Sequence, residues 1–116
     1  MNIEDFENQA KQATELLRSM SNEKRLMILC LLTGGELSVG KLETLVGLSQ
    51  SALSQHLAIL RKRGMVKTRR ESQTIHYSLA DPNAAKILET LYGIFCPPGF
   101  DPHEATQSEN TEAQGT

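Results

Sequence analysis

A polar-faced helix followed directly by a basic hairpin constrains this 116-residue chain more than any other feature. The segment 48–77 reads LSQSALSQHLAILRKRGMVKTRRESQTIHY. Leu53, Leu57 and Leu60 recur at the spacing of one helical stripe, so they predict an inward apolar face. The opposite face carries hydroxyl and amide side chains, which suit hydrogen bonding to base edges in a DNA groove. The candidate base-reading residues are Ser51, Ser54, Gln55 and His56.

His56 has two interpretations that the sequence leaves open. At 100° per residue it lies about 60° from the leucine stripe, at the border between the apolar and the polar face. It could therefore read a base, or it could be a half-buried packing histidine. Helical geometry favours neither interpretation.

The charge of the chain is concentrated in the same region. The net charge is −2 overall, but residues 41–77 carry seven basic against two acidic side chains, while residues 1–40 and 78–116 are both acidic. Local charge rather than the whole-chain value decides phosphate binding. We therefore expect DNA phosphates to be contacted by the basic side chains of this segment. These are Lys41, Arg61, Lys62, Arg63, Lys67, Arg69 and Arg70.

The order of elements follows from apolar spacing, caps and breakers. We expect helices over about 3–20, 23–33, 39–46, 50–63 and 82–96, and hairpin strands over 65–70 and 74–79. The second helix is expected to be capped at Ser21 or Asn22, the third at Ser38 and the fourth at Ser49. Two short helices joined by a turn containing Gly47 form a helix-turn-helix pattern. The predicted fold class is mostly α with a small β-hairpin, a winged helix-turn-helix in the order α-α-α-α-β-β-α.

The chain divides into one domain and a tail. Residues 1–96 are expected to form the DNA-binding and dimerisation domain, and the acidic, polar segment 97–116 is expected to be disordered. The longest strongly apolar run, residues 26–32, is shorter than the ~20 residues that span a membrane. We expect a cytoplasmic protein with no membrane partner.

Apolar stripes on the first and last helices predict a two-fold homodimer, because a chain of this size offers them little else to pack against. The expected interface residues are Phe6, Ala10, Ala13, Leu17, Leu88, Leu91 and Phe95.

Cys30 and Cys96 are the second candidate site. Cysteines without a disulfide are commonly small buried hydrophobes, and two of them do not indicate a structural disulfide framework. Zinc needs three or four ligands, and no CxxC or CxC motif supplies them, so we expect no metal and no cofactor. No P-loop, HExxH or GxSxG motif is present, and we expect no enzyme activity.

The segment 36–79, ELSVGKLETLVGLSQSALSQHLAILRKRGMVKTRRESQTIHYSL, resembles the winged-helix core of the ArsR/SmtB regulators, with similarity over roughly residues 10–96. The chain is most similar to the branch of thiol sensors that includes BigR, SqrR and HlyU. In that branch a cysteine of the second helix, here Cys30 in RLMILCLL, pairs with one at the end of the last helix, here Cys96 in LYGIFC. The chain differs from the metal-sensing members, which carry a cysteine-rich motif where ELSVG stands here.

The resemblance implies a homodimeric transcriptional regulator, expected to be a repressor, that binds a pseudo-palindromic operator in double-stranded DNA. It also implies that an oxidant or a low-molecular-weight persulfide joins Cys30 to Cys96 by a disulfide or polysulfide. Such a bridge would move the paired recognition helices, whose half-sites lie one helical turn (~34–36 Å) apart. The alternatives are a winged-helix regulator or anti-repressor with structural cysteines, or a protein-interaction module that does not bind DNA.

Overall fold

The structure, a computed structural model, describes residues 1–96; the tail predicted to be disordered lies outside them. The described residues form five helices and three strands. These are α1 (Ile3–Met20), α2 (Glu23–Leu32), β1 (Leu37–Ser38), α3 (Val39–Val46), α4 (Gln50–Lys62), β2 (Val66–Glu71), β3 (Thr74–Leu79) and α5 (Pro82–Phe95). Within residues 1–96, no helix has the length and apolar character needed to cross a membrane.

Side-chain caps begin the helices where the sequence predicted. Asn22, rather than Ser21, caps α2, because its side-chain oxygen accepts hydrogen bonds from the backbone N–H groups of Lys24 and Arg25. Ser49 caps α4 by accepting a hydrogen bond from the N–H of Ala52 at 3.2 Å. Gly47 ends α3 with φ of 71°, a left-handed conformation that glycine adopts without strain. The helix-turn-helix of α3 and α4 is therefore confirmed.

The sheet has one strand more than the predicted hairpin. β1 pairs antiparallel with β3, which gives the strand order β1-β3-β2. A strand of two residues is too short to show apolar alternation, so nothing in the sequence marked it. The hairpin turn is also shorter than predicted: Glu71 pairs with Thr74, which leaves two residues in the turn, and Ser72 adopts φ of 58°.

The register of the sheet divides its side chains between two faces. Tyr77 lies opposite Leu37 and Thr68, and the next rung places His76 opposite Ser38 and Arg69. Successive side chains of a strand point to opposite faces. We call the face of Tyr77 the inner face, because it is turned toward α4, and the face of His76 the outer face.

The core is built from α2, α3, α4, the inner face and α5. Its fully buried side chains include Ile28, Leu29, Leu42, Leu53 and Leu60. Leu88 also belongs to this core, at 4% exposure, so its predicted place in a dimer interface is corrected. Ala84 and Leu88 lie one helical turn apart and together form the stripe of α5 that packs on the domain.

Candidate nucleic-acid interface and cysteine cavity

The recognition helix α4 separates a buried leucine stripe from an exposed polar face. Leu53, Leu57 and Leu60 are at most 2% exposed and fix the helix on the core. Ser51, Ser54 and Gln55, predicted to read bases, are all exposed. The structure therefore brings three of the four predicted base-reading residues to one accessible surface.

His56 is less accessible than these three residues. It is half-buried, and its Nδ1 atom is enclosed without a hydrogen-bond partner among the described residues. A ring nitrogen enclosed by protein is not available to a base edge. Of the two interpretations left open above, the structure favours the packing histidine.

A concave surface lies between α4 and the inner face of the sheet. Its volume is about 650 Å³, and it is lined on the helix side by polar and basic residues that include Ser54, Arg61 and Lys62. The sheet contributes Ile75 and Tyr77. The recognition helix α4 and the wing, which β2 and β3 form, therefore border the same concave surface. A ligand bound to α4 would also contact the wing.

Four of the seven predicted phosphate-binding residues have no carboxylate partner within residues 1–96. They are Arg61, Lys62, Lys67 and Arg70, and all four are exposed. Arg70 pairs across the sheet with Ile75 and therefore lies on the inner face, on the side of α4. Lys41 is half-buried near the start of α3.

Arg63 is turned away from this surface. It follows the last turn of α4, and its Nη1 atom lies 3.5 Å from Oε2 of Glu15 on α1. Together with Asp81 and Met65 these residues line a separate cleft between α1 and the domain. The phosphate contact predicted for Arg63 stays a prediction, and its pairing with Glu15 on α1 directs the side chain away from the concave surface.

Arg69 lies on the outer face and is held by two carboxylates. Its Nη2 atom donates to Oε1 of Glu36 at 2.6 Å, its Nε atom donates to Oε2 of Glu36 at 3.1 Å, and its Nη1 atom donates to Glu71 at 2.9 Å. These hydrogen bonds raise the pKa of Arg69 and lower the pKa of Glu36 below its ordinary value. This pairing with two carboxylates argues against the phosphate role predicted for Arg69.

Glu36 is the residue that reading the sequence missed. It stands 33 positions before Arg69, just ahead of the short β1 strand, and the two meet only because β1 joins the sheet. His76 lies between them in the sheet order, with its ring nitrogens 3.9 Å from Glu36 and from Glu71. Nothing in the sequence indicates that Glu36, Arg69 and His76 lie together, because their proximity depends on the register of the three-stranded sheet.

Cys30 and Cys96 line the same cavity, although they are 66 positions apart. Cys30 lies on α2, and Cys96 directly follows α5. The cavity measures about 280 Å³ and is otherwise lined by apolar and aromatic side chains. The other lining residues are Leu26, Leu88, Leu91, Tyr92 and Phe95. Across residues 1–96, His, Cys, Asp and Glu side chains form no group of three or more that could hold a metal ion.

The similarity of this chain to known proteins identifies its family. Residues 22–68 match the family model described as "Bacterial regulatory protein, arsR family". The transcriptional activator HlyU of Vibrio cholerae is 48% identical over 96 residues, which cover 83% of this chain and 89% of that protein.

Two solved structures share the fold. Reduced HlyU from Vibrio cholerae superposes with a TM-score of 0.79 at 46% identity, covering 82% of this chain and all of that chain. The transcriptional repressor BigR from Xylella fastidiosa superposes with a TM-score of 0.76 at 44% identity, covering 84% of this chain and 99% of that chain. These similarities extend beyond the helix-turn-helix to most of the described residues. The chain therefore belongs to the arsR family of bacterial regulatory proteins, and it is a DNA-binding transcriptional regulator with a winged-helix fold rather than an enzyme.

Proposed function

We propose that this regulator binds its operator in the reduced form and releases it when Cys30 and Cys96 become covalently joined within one subunit. The observation that carries the proposal is the shared cavity of about 280 Å³, into which both cysteines open. Its remaining lining is apolar and aromatic, an environment that suits uncharged, polarisable sulfur. A cavity of this volume is large enough to admit additional sulfur atoms.

The chemistry needs no group beyond the effector itself. The thiolate of one cysteine attacks the outer sulfur of a low-molecular-weight persulfide. That sulfur is transferred to the cysteine, which becomes a persulfide, and the rest of the small molecule leaves as a thiol. The second cysteine then attacks this persulfide, so that a disulfide forms and hydrogen sulfide leaves. If both cysteines are first converted, their reaction yields a trisulfide and again releases hydrogen sulfide. With a two-electron oxidant the two thiols instead lose two electrons and two protons to form the disulfide.

A bridge between these cysteines would connect helix α2, which supports the helix-turn-helix, to the end of helix α5. Cys30 lies on α2, which packs against α3 and α4 of the helix-turn-helix. Cys96 ends α5, whose Ile94 and Phe95 are 65% and 76% exposed. Joining the two cysteines restrains the end of α5 relative to the support of the recognition helix. A change in the spacing of two recognition helices weakens binding to half-sites one helical turn apart.

The proposed switch requires a dimer, for which α1 and α5 provide the surface. Along α1 only Ser19 and Met20 are buried, while Phe6 and Leu17 are 61% and 54% exposed. Most of the stability of a protein helix comes from tertiary packing of its apolar face, so a partner helix is expected to cover this stripe. The proposed interface consists of Phe6, Ala10, Ala13, Leu17, Leu91 and Phe95.

The dimer interface can be tested by substitution on α1. Phe6→Glu is expected to shift the protein from dimer to monomer in analytical ultracentrifugation, because it places a charge within the apolar stripe. Lys11→Glu, an exposed change on the same helix and outside the predicted interface, serves as the control. A Phe6→Glu protein that remains dimeric at low micromolar concentration would contradict the proposed interface.

On DNA, we propose that α4 reads the major groove through Ser51, Ser54 and Gln55. The phosphates would be bound by exposed cations without a carboxylate partner: Arg61 and Lys62, which line the concave surface, and Arg70 and Lys67 on the two faces of the wing. The two-fold symmetry of the dimer then implies a pseudo-palindromic operator.

The cysteine switch is tested by combining intact mass with DNA binding. Wild-type protein, Cys30→Ser and Cys96→Ser are each treated with glutathione persulfide and titrated onto fluorescent DNA from the protein's own promoter. The wild type is expected to gain an internal disulfide or polysulfide and to lose affinity by roughly 5- to 150-fold, the range of a typical allosteric coupling. Either serine variant is expected to bind DNA normally when reduced and to keep that affinity after treatment.

The double variant Cys30→Ser/Cys96→Ser is the control, because any effect of persulfide on it must come from other groups. The proposal fails if a single serine variant still releases DNA on treatment. It also fails if the wild type forms the bridge without a change in affinity, which would make the cysteines structural.

The direction of transcriptional control is a separate question. BigR is named a repressor and HlyU an activator, so regulators of this fold act in both directions. We propose repression, because a dimer that occupies promoter DNA in its reduced form excludes other proteins from the same site. A reporter driven by the promoter should rise in a strain that lacks the protein; a fall would assign activation or anti-repression.

A further inference from the structure

We infer that Arg69 and Glu36 position the wing rather than bind DNA: together they tie β2 to the segment before β1 across the outer face of the sheet. The inference rests on the proposed role of the wing in DNA binding. It assigns a structural function to Glu36 and Arg69, neither of which is among the proposed DNA contacts. Two independent observations support it, namely the sheet register and the hydrogen-bond geometry.

The register places Arg69 away from the recognition helix. Arg69 pairs with His76 and lies on the outer face, whereas its neighbour Arg70 pairs with Ile75 and lies on the inner face. Ile75 and Tyr77 of the inner face line the concave surface opposite α4. Two adjacent arginines of one strand are therefore directed to opposite sides of the wing. Lys67 shares the outer face with Arg69 but has no carboxylate partner within residues 1–96, so the hydrogen bonds of Arg69 are what distinguish the two.

The hydrogen bonds of Arg69 leave little of its guanidinium available to a phosphate. Nε and Nη2 bind Glu36 in a bidentate arrangement, and Nη1 binds Glu71. Bidentate pairing to a carboxylate uses the same planar donor edge that would otherwise bind a phosphate. Two carboxylates also offset the positive charge of the arginine, so that its attraction for the DNA backbone is cancelled locally.

The pair spans the full width of the sheet. Glu36 lies immediately before β1, Arg69 lies on β2, and β3 runs between them with His76 in the same rung as Arg69. β1 is only two residues long and follows a loop in which Gly35 has φ of 129°. Few backbone hydrogen bonds therefore connect the wing to this part of the domain, and the Glu36–Arg69 pair adds a side-chain connection at the same place.

The test compares the salt dependence of DNA binding for Arg69→Gln, Glu36→Gln and the double variant, with Arg70→Gln as the matched control. Arg70→Gln removes a phosphate contact from each wing, so the slope of log K against log salt should become shallower by about 1.8 per dimer. Arg69→Gln should lower affinity by about 2- to 5-fold at every salt concentration with an unchanged slope, since a network of exposed ion pairs has modest effects.

Glu36→Gln separates positioning from simple electrostatics. Removing a negative charge from a DNA-binding protein would by field effects tighten binding and steepen the slope. We expect the opposite sign: weaker binding, an unchanged slope, and no further loss when the substitution is added to Arg69→Gln. Faster amide hydrogen exchange in β2 should accompany both single variants. Circular dichroism melting of each variant establishes that the domain remains folded.

Three results would overturn the inference. The first is a shallower slope for Arg69→Gln, which would make it a phosphate contact. The second is tighter binding by Glu36→Gln, and the third is the absence of any effect of either variant on affinity. If Arg70→Gln also leaves the slope unchanged, the wing does not bind phosphates, and the proposed DNA surface fails together with the inference.

Discussion

The salt dependence of DNA binding provides the sharpest quantitative test of the proposed interface. Each phosphate neutralised by a basic side chain contributes about −0.9 to the slope of log K against log salt concentration. Four basic side chains per subunit, Arg61, Lys62, Lys67 and Arg70, are exposed and have no carboxylate partner within residues 1–96. The eight of a dimer give an expected slope of about −7, equivalent to a roughly 10⁴-fold loss of affinity between about 50 and 200 mM salt.

Counting every basic residue of the segment from the sequence alone gives a different expected slope. If all seven basic residues of segment 41–77 bound phosphates, the fourteen of a dimer would produce a slope of about −13. The count of eight leaves out Arg63 and Arg69, which are paired with carboxylates, and the half-buried Lys41. Fluorescence anisotropy on promoter DNA at four or more salt concentrations distinguishes these two values.

A single substitution gives the assay its internal check. Lys62→Gln should reduce the slope from about −7 to about −5, because each dimer loses two contacts. Lys86→Gln, a change on the exposed side of α5, should leave it unchanged. A measured slope near −13, or equal effects of the two substitutions, would refute the assignment of phosphate contacts to unpaired cations around α4 and the wing.

Three further predictions concern stability. Leu53→Ala, at a fully buried position of the recognition helix, should lower the free energy of unfolding by about 3–5 kcal/mol in urea denaturation; a loss under about 1 kcal/mol would place Leu53 outside the core. Ser49→Ala should cost about 1 kcal/mol by removing the cap of α4, whereas the exposed Ser51→Ala should change stability by less than that, and equal losses would contradict the capping role. Hydrogen bonding to Arg69 lowers the pKa of Glu36, so their pair stabilises the fold above the ordinary value of 4.5 and loses this effect as pH falls through the lowered pKa. The difference in Tm between wild type and Glu36→Gln should therefore shrink between about pH 6 and pH 3, and a constant difference would argue against the pair.

The local elements were readable from the sequence because their causes are local. Capping side chains and glycines lie within a few positions of the helix ends that they set, as Ser49 and Gly47 illustrate. The leucine stripe of α4 repeats within two turns, and the helix-turn-helix and hairpin followed from such short-range patterns. The two-residue strand β1 escaped because its pairing with β3 depends on residues about 40 positions later.

Contacts between distant residues were decided only by the tertiary structure. The class of fold, the polar face of α4 and the concentration of basic charge in segment 41–77 could all be predicted from the sequence. It could not separate Arg70 from Arg69, because their difference arises from strand register and from a carboxylate 33 positions away. Likewise, Leu88 had the same apolar character as Leu91, and only the packing of α5 assigned it to the core. The chemistry of a side chain is given by its residue type, whereas its contact partners depend on how the helices and strands pack.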